Sequence, residues 1–419
     1  MPSTVICGAS VWNGITDTPA RGEVLVTDGR IAAVGPSVPR PDGALAVDLT
    51  GHTVLPGLID CHTHVTLTAV RELLVAHESP GSKVLNSLGP LRDLLDNGFT
   101  TIRDLGAIDS EFISVDLKRA VDAGKIVGPR MLVAPHLLSA TGGHGDVTPM
   151  MEHLLAADCQ LLHFETMDGT QEIIRAVREE SRGGADWVKF AASGGFSSPA
   201  DDPTQISFSQ EEISAIVTTA ADIGLPACPH VYGDEGIRRS AIAGVRSIEH
   251  GNLASAQTLN MLQDKGIFLV PTQGSVVTNA REAFNDDHWL GQPPAKRSKY
   301  QKYGKQILDC AETIASSEVL VAFGTDAGMV PHRDNWKEFS AMVGTGISPL
   351  RALKAATSVA AQLLMLDDLG TLVPGKIADV VAVPGDPFAD MSVMGSVDFV
   401  MKAGSVHKRP VVRALVGTP

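Results

Sequence analysis

The sequence predicts an α/β protein, a (β/α)8 or TIM barrel with a small β-sandwich domain formed by both termini. Strand-like runs alternate with helical patterns through the middle of the chain, from residue 58 to residue 367. Short strands separated by turns occupy both ends. Polar side chains with metal-binding chemistry recur where the predicted barrel strands end, which is where barrel enzymes carry their active sites.

Both ends of the chain have β character. Near the start, two strand-like runs flank Asp28-Gly29, a dipeptide typical of a tight hairpin turn, and another short run covers 44–49. Near the end, residues 378–383 and 399–401 are strand-like in the same way. We therefore predict that residues 1–57 and 368–419 form one composite domain and that residues 58–367 form the barrel.

The barrel region is predicted from eight strands with helices between most of them. The predicted strands are 58–60, 99–104, 130–135, 186–191, 225–230, 246–249, 267–271 and 319–325. The clearest helix is 211–224, because Ser209 and Glu212 are spaced as a capping box and Gly224 is a typical stop. Ser348-Pro349 predicts the start of a helix that continues to about residue 366.

Composition excludes several classes of protein. Of the 419 residues, 44% are hydrophobic and 20% charged, which is ordinary for a soluble globular chain. The net charge of −14 argues against a general nucleic-acid or anionic-membrane partner. The N-terminus has no signal-peptide pattern and no run reaches the roughly 18 apolar residues of a membrane span. Five scattered cysteines predict reduced thiols, and the expected location is cytoplasmic.

The candidate metal ligands begin with His62 and His64. Histidines at i and i+2 of an extended segment point the same way and can bind one ion. Lys189 lies between apolar residues of a predicted buried strand, where a lysine is costly unless its charge is neutralised or changed. His230 ends the fifth predicted strand, and His250 and Asp326 follow the sixth and the eighth.

Each of these six residues has an ordinary structural interpretation when it is taken alone. A lone histidine is more often a hydrogen-bonded structural residue than a ligand, a single lysine is usually solvated, and Asp326 could cap a loop. Together, in barrel order and at strand ends, they favour a metal site. The leading hypothesis is a metal-dependent hydrolase.

Several longer motifs carry a resemblance to a known family. The segment from Leu55 to His64, the ligand set and the segment from Gly375 to Val381 resemble the metal-dependent amidohydrolase superfamily over essentially the whole chain. Three further segments, 141–146, 189–195 and 247–251, resemble its imidazolonepropionase-like branch. That branch includes Xaa-Pro and Xaa-Arg dipeptidases and ochratoxin-hydrolysing amidases.

The resemblance implies a binuclear zinc site. His62, His64 and Asp326 would hold one ion, His230 and His250 the other, and Lys189, as N6-carboxylysine, would bridge both. Two metals that share a water lower its pKa towards about 7 and polarise the scissile carbonyl. Asp326 would take the proton from that water and pass it to the leaving amine. Cobalt or manganese would suit the same nitrogen and oxygen ligands.

Candidate substrate contacts are His144, Tyr232 and His136. His144 lies in a glycine-rich loop after the third strand, and Tyr232 follows His230 by two residues, while His136 ends the third strand. The alternative roles of these three residues are local hydrogen bonding and packing. The polar segment 284–303 is either a lid over the site or a surface excursion.

The predicted function is hydrolysis of the C–N amide bond of a dipeptide or an N-acyl amino acid, with a small-molecule substrate as the partner. The resemblance is also compatible with a homo-oligomer. The first rival is a hydrolase of cyclic amides, carbamates or xenobiotic amides that uses the same metals. Two further rivals are disfavoured by the ligand set. A mononuclear deaminase would not require Lys189, and a non-enzymatic assembly protein would not require all six ligand positions to be filled.

Overall fold

The structure, a computed structural model, describes residues 3–67, 78–106, 111–146, 148 and 166–410. Its strands in chain order are β1 (Thr4–Val11), β2 (Ala20–Thr27), β3 (Arg30–Gly35), β4 (Leu45–Asp48), β5 (His52–Pro56), β6 (Leu58–Thr63), β7 (Phe99–Asp104), β8 (Arg130–Val133), β9 (Leu137–Leu138), β10 (Val188–Ala191), β11 (Ala227–Gly233), β12 (Ser247–Leu253), β13 (Phe268–Val270), β14 (Val380–Pro384), β15 (Phe399–Lys402) and β16 (Ser405–Lys408).

Helices follow most of the central strands. In chain order they are α1 (Pro80–Asp96), α2 (Ile113–Asp122), α3 (Gly169–Gly183), α4 (Gln210–Asp222), α5 (Asp234–Ala243), α6 (Ala256–Lys265), α7 (Gln273–Arg281), α8 (Pro294–Ser316), α9 (Lys337–Gly344), α10 (Pro349–Ala355) and α11 (Ser358–Leu363). Within the described part of the chain, none of these helices is both long enough and apolar enough to cross a bilayer.

Strands from the two ends of the chain share one sheet. Its order is β16-β15-β14-β5-β1-β2-β3, and β4 pairs with β1. The predicted hairpin is confirmed, because Thr27 pairs with Arg30 and both turn residues, Asp28 at φ 50° and Gly29 at φ 76°, have the positive φ that such turns require. The described terminal strands form this single sheet, so the sandwich and the domain boundaries at 57/58 and 367/368 stay predictions.

The central strands form two parallel sheets. Strands β13-β12-β11-β10-β9 make one sheet and β6-β7-β8 the other. Every residue of β6, β7, β10, β11, β12 and β13 is buried, as expected for parallel strands that are covered on both faces. Apolar clusters lie against both faces: a large one under the helices and a smaller one that includes Trp187 and Phe268. This is an α/β arrangement of TIM-barrel type.

Seven of the eight predicted barrel strands are present, but 319–325 is not a regular strand. Its pairing is limited to a bridge between Leu269 and Val321 and to single backbone hydrogen bonds, such as the 2.8 Å bond from the Cys61 N–H to the Phe323 carbonyl. Its hydrogen bonds are divided between residues of the two sheets, so no regular ladder forms. These bonds connect 319–325 to both parallel sheets, and complete closure of an eight-stranded ring stays a prediction.

Two helix predictions have different outcomes. Helix α4 has the predicted capping box, since the Ser209 hydroxyl accepts from the Glu212 N–H at 3.2 Å and the Glu212 carboxylate accepts from the Ser209 N–H at 2.8 Å. The helix predicted for 349–366 is instead divided into α10 and α11. The break frees the carbonyl of Ala356 to accept a 2.8 Å hydrogen bond from the N–H of Ile59 in β6. The cysteines of the described residues are free thiols, while Cys159 lies outside those residues.

Candidate metal centre

The first cluster of candidate ligands lies at the carboxyl end of β6. Asp326 Oδ1 lies 3.5 Å from His62 Nε2 and 3.2 Å from His64 Nε2, and the three ligand atoms all fall within 4.8 Å of one another. Two atoms that bind one tetrahedral zinc ion at about 2.1 Å are separated by roughly 3.4 Å. Backbone pairing sets this geometry, because the N–H of Asp326 donates to the His62 carbonyl at 2.9 Å. These three side chains therefore fit a metal ion.

Oxygen acceptors fix the tautomers of His62 and His64, and a hydroxyl orients the ring of His250. His62 Nδ1 lies 2.9 Å from a carboxylate oxygen of Glu249, and His64 Nδ1 lies 2.6 Å from the carbonyl oxygen of Gly106. His250 Nδ1 lies 2.8 Å from the hydroxyl of Thr272. A ring that donates from Nδ1 presents the lone pair of Nε2, which is the arrangement of histidine ligands in metalloproteins.

The electrostatics of this cluster also suit a cation. Burial and the nearby ammonium of Lys189 lower the pKa of His62 to about 4, so its ring is neutral and able to bind a metal. Burial raises the pKa of Asp326, but its contacts with His64, His62 and His250 outweigh this effect and hold the pKa below its usual range. Asp326 is therefore an anion in a nearly closed site.

Lys189 and His230 form the other side of the centre. Lys189 is 2% exposed and lies in β10, opposite Cys228 of β11. Among the described residues, neither Lys189 Nζ nor His230 Nε2 has a hydrogen-bond partner. Burial lowers the pKa of both groups, so that the imidazole of His230 is neutral and the ammonium form of Lys189 is destabilised. The sequence prediction that Lys189 is buried is confirmed.

Ring contacts bring the four histidines together. The ring centroid of His250 lies 4.8 Å from that of His62 and 4.6 Å from that of His230, and the centroid of His64 lies 5.3 Å from that of His62. Histidine rings from β6, β11 and β12 thus meet at one end of two parallel sheets. The roles of individual residues in holding two ions stay predictions.

Three residues of this centre have strained backbone. His250, Thr272 and Asp326 have φ of 70°, 44° and 58°, a region that residues with a Cβ rarely adopt. Thr272 contacts His250, and Asp326 contacts His62 and His64. Such strain persists where the surrounding structure requires it, which is typical of functional sites.

Sequence reasoning missed a buried network beneath the histidines. Arg103 of β7 donates to Glu249 Oε1 at 2.7 Å, to the Ser247 hydroxyl at 3.2 Å and to the Cys61 carbonyl at 2.7 Å. Arg103 and Glu249 are both 0% exposed. Glu249 therefore connects this arginine to His62. An arginine inside the predicted strand 99–104 was the available signal, for the same reason that Lys189 was informative.

Asp60 supports the loop that carries Asp326. The Thr325 hydroxyl donates to Asp60 Oδ2 at 2.7 Å, and the backbone N–H groups of His62 and Thr325 donate to Oδ1 at 3.1 and 3.2 Å. Burial raises the pKa of Asp60 to about 7, although these hydrogen bonds oppose the rise. Asp60 thus joins the end of β6 to the segment before Asp326.

Two of the three predicted substrate residues adjoin the centre. The ring of His144 stacks on His230 with centroids 4.2 Å apart, and the ring of Tyr232 stacks on His250 with centroids 4.7 Å apart. His136 makes different contacts: Nδ1 lies 2.6 Å from Glu180 of α3, and its ring packs against Phe112. The assignment of all three to substrate stays a prediction.

The segment 284–303 is anchored to the loop after β10. It includes the start of α8, from which Lys299 donates to the carbonyls of Gly195 and Ser198 at 2.7 and 2.5 Å. Tyr300 stacks on Phe196 with centroids 4.4 Å apart. These contacts place α8 beside the loop that follows Lys189, and the choice between a lid and a surface excursion stays open.

Fold and site together define a hydrolase class in which a metal site lies at the ends of parallel strands of an α/β domain. The model of the amidohydrolase family matches residues 53–406, and the chain belongs to that family. It is accordingly a hydrolase that acts on C–N bonds.

Individual relatives span almost the whole chain. The ochratoxinase of Aspergillus niger is 30% identical over 97% of this chain and 87% of its own length, and the imidazolonepropionase of Cutibacterium acnes is 25% identical over 91% and 89%. A solved Xaa-Pro dipeptidase with methionine bound in its active site superposes with a TM-score of 0.88 at 32% identity, covering 97% of this chain and 100% of that one. The predicted branch of the superfamily is thereby confirmed.

Proposed function

We propose that this chain cleaves the C–N amide bond of a dipeptide or an N-acyl amino acid and releases the free amino acid. One observation supports the proposal above the others. Four histidine rings gather beside Asp326 and the buried amine of Lys189 at the ends of parallel strands. That donor set is typical of metal-dependent hydrolysis.

We propose that the residues of the site hold two divalent ions and that these ions are zinc. His62, His64 and Asp326 would hold one ion, and His230 and His250 the other. Lys189, carboxylated on Nζ, would bridge them, because carboxylation changes a buried cation into an anion and gives the unpartnered Nζ a function. When bound, such ions supply Lewis acidity toward the substrate carbonyl and toward water.

The proposed proton transfer uses Asp326. Its carboxylate is ionised and lies within 3.2 Å of His64 Nε2. As the water oxygen bonds to the carbonyl carbon, Asp326 accepts a proton from that water. It then gives the proton to the amide nitrogen as the C–N bond breaks, so that the products are a carboxylic acid and a free amine.

The substrate class is inferred from the relatives and from the residues beside the centre. An ochratoxinase and a Xaa-Pro dipeptidase with bound methionine are both similar to this chain along nearly its full length. His144 and Tyr232, which stack on His230 and His250, would contact the amino-acid part of the substrate. A cytoplasmic location and a homo-oligomer remain predictions beside this proposal.

The proposal can be tested by measuring free amino acid released by zinc-loaded protein from a panel of dipeptides and N-acyl amino acids. The C-terminal residue would vary through Pro, Arg, Phe and Leu. Release from some members is expected, and Asp326→Asn protein prepared in parallel would exclude a contaminating peptidase. No release, with two metals per chain confirmed by elemental analysis, would contradict the proposal and favour cyclic amides, carbamates or xenobiotic amides.

A further inference from the structure

We infer that Asp201 and Lys299 form a positioning pair that fixes the ring of His144 for the substrate, so that helix α8 helps to set substrate affinity. The inference rests on the proposed function, in which His144 contacts the substrate beside His230. Neither Asp201 nor Lys299 carries a motif signal in the sequence, and both are identified by their contacts in the fold.

The first step is the orientation of His144. Its Nδ1 lies 2.8 Å from Asp201 Oδ2, and the side chain of Asp201 is 2% exposed. A carboxylate only accepts hydrogen bonds when it is ionised, so Nδ1 carries the hydrogen. The ring atom left for the substrate is Nε2.

The second step is the immobilisation of Asp201. Its other oxygen, Oδ1, accepts from Lys299 Nζ at 3.0 Å. Lys299 Nζ also donates to the carbonyls of Gly195 and Ser198, so all three of its N–H groups have acceptors. The ammonium therefore cannot rotate away without losing buried hydrogen bonds, and it fixes the carboxylate that holds His144.

The third step is the close packing of the imidazole. One face of His144 stacks on His230, with an interplanar angle of 10° and a centroid distance of 4.2 Å. On another side is Gly195, where an added Cβ would lie 2.2 Å from His144 Cε1. Together with the bond from Nδ1, these contacts leave the ring one orientation relative to His230.

A more exposed ion pair between the same helix and the same loop provides a matched control. Lys302 lies about one turn further along α8, and its Nζ lies 3.1 Å from Asp202 Oδ2. The side chain of Lys302 is 62% exposed, whereas that of Lys299 is 10% exposed. If α8 merely needed to be attached to the 194–202 loop, both lysines would serve. Of the two lysines, only Lys299 is connected to His144, through the carboxylate of Asp201.

The experiment compares two double variants in the zinc-loaded enzyme with a dipeptide from the panel as substrate. Asp201→Val with Lys299→Met removes the acceptor for His144 and leaves no unpaired buried charge. Asp201→Asn with Lys299→Met restores an amide oxygen as acceptor. We expect the first to raise KM about tenfold, the scale of one lost hydrogen bond to a charged group, with a smaller change in kcat. The second should recover most of the loss, and Lys302→Met should resemble the wild type.

A His144→Ala background distinguishes positioning from general structure. If the pair acts through His144, the double change Asp201→Val with Lys299→Met (the Val/Met protein) alters KM by less than about twofold in that background. The reason is that the effects of coupled residues are not additive. An equal tenfold effect with and without His144 would overturn the inference.

Crystal structures of the two double variants provide a readout that needs no turnover. The ring of His144 should leave its stack on His230 in the Val/Met protein and keep it in the Asn/Met protein. An unmoved ring in both would overturn the inference. If the wild type hydrolyses no panel member while the ring moves as expected, the proposed function fails and the positioning role stands.

Discussion

The two sides of the candidate metal centre differ in how the protein holds their side chains. His62, His64 and His250 each have Nδ1 bonded to a carboxylate, a carbonyl or a hydroxyl. Lys189 Nζ and His230 Nε2 are buried and have no such partner among the described residues. The comparison teaches that hydrogen bonds to the protein orient the rings of the first side, whereas the second side presents two polar atoms that are left for a bound group.

The largest effect on metal binding and activity should follow from removing the amine of Lys189, on the second side of the centre. Lys189→Ala is expected to lose most bound metal and to reduce hydrolysis by more than about 100-fold, beyond the loss typical of residues that only support ligands. Metal per chain by elemental analysis and amino-acid release are the measurements. Lys302→Met, which changes an exposed lysine, serves as the control. Retained metal and activity in Lys189→Ala protein would remove the bridging role.

The next effect concerns the support of the first side. Glu249→Gln takes away the anion that pairs with Arg103 and accepts from His62, so a buried cation is left unpaired. The free energy of unfolding should fall by about 3 to 5 kcal/mol, and metal affinity should fall about 10- to 100-fold. Urea unfolding and metal titration measure the two losses. Glu235→Gln, which breaks exposed pairs with Arg238 and Arg239, should change stability by less than about 1 kcal/mol.

A pH-dependent effect should arise from Glu338, which accepts from the N–H groups of Gln273 and Gly274 next to Thr272. Burial raises the pKa of Glu338 from 4.5 to about 8, so the folded protein keeps a proton that the unfolded chain loses within this window. At this group the folded state binds more protons, so the stability that Glu338 contributes falls as the pH rises, by up to about 1.4 kcal/mol per pH unit.

Glu338→Gln should remove this slope between pH 4.5 and about 8. Urea unfolding of the metal-saturated protein at several pH values measures it. Glu312→Gln, an exposed change on α8, should keep the wild-type slope. Parallel pH profiles for wild type and Glu338→Gln would show that the carboxyl group is ionised in the folded protein.

The smallest effect should come from removing a single hydroxyl group on the first side of the centre. Thr272→Val keeps the shape of the side chain and removes the hydroxyl that lies 2.8 Å from His250 Nδ1. We expect metal affinity to fall about tenfold and stability to fall by about 1 kcal/mol. Competition with a chromophoric chelator measures the affinity. Unchanged affinity would mean that packing alone orients His250.

Much of the site could be predicted because its residues violate the ordinary rules of strands. A lysine in an apolar run and paired histidines at a strand end carry a signal in the sequence itself. Asp201 and Lys299 carry none, since an aspartate in a loop and a lysine in a polar helix are usual. Their relation arises when α8 packs against the loop after β10.

The fold shows the same division between local and long-range information. The capping box of α4 and the Asp28-Gly29 turn depend on a few neighbouring residues, and both were predicted. The break between α10 and α11 could not be predicted in this way. It accompanies a hydrogen bond between Ala356 and Ile59, which are far apart in the chain. The irregular segment 319–325 likewise follows from contacts with two sheets at once.

The shared terminal sheet has a consequence for the order of synthesis. Strand β5 runs almost directly into β6, which carries His62 and His64, and β5 pairs with β14. The hydroxyl of Thr53 bonds to the carbonyl of Gly385, 332 positions later. A growing chain therefore exposes one edge of β5 until β14 has been synthesised, and such an edge invites mispairing. The strand that leads into His62 and His64 thus gains this neighbour only after more than 300 further residues have been made.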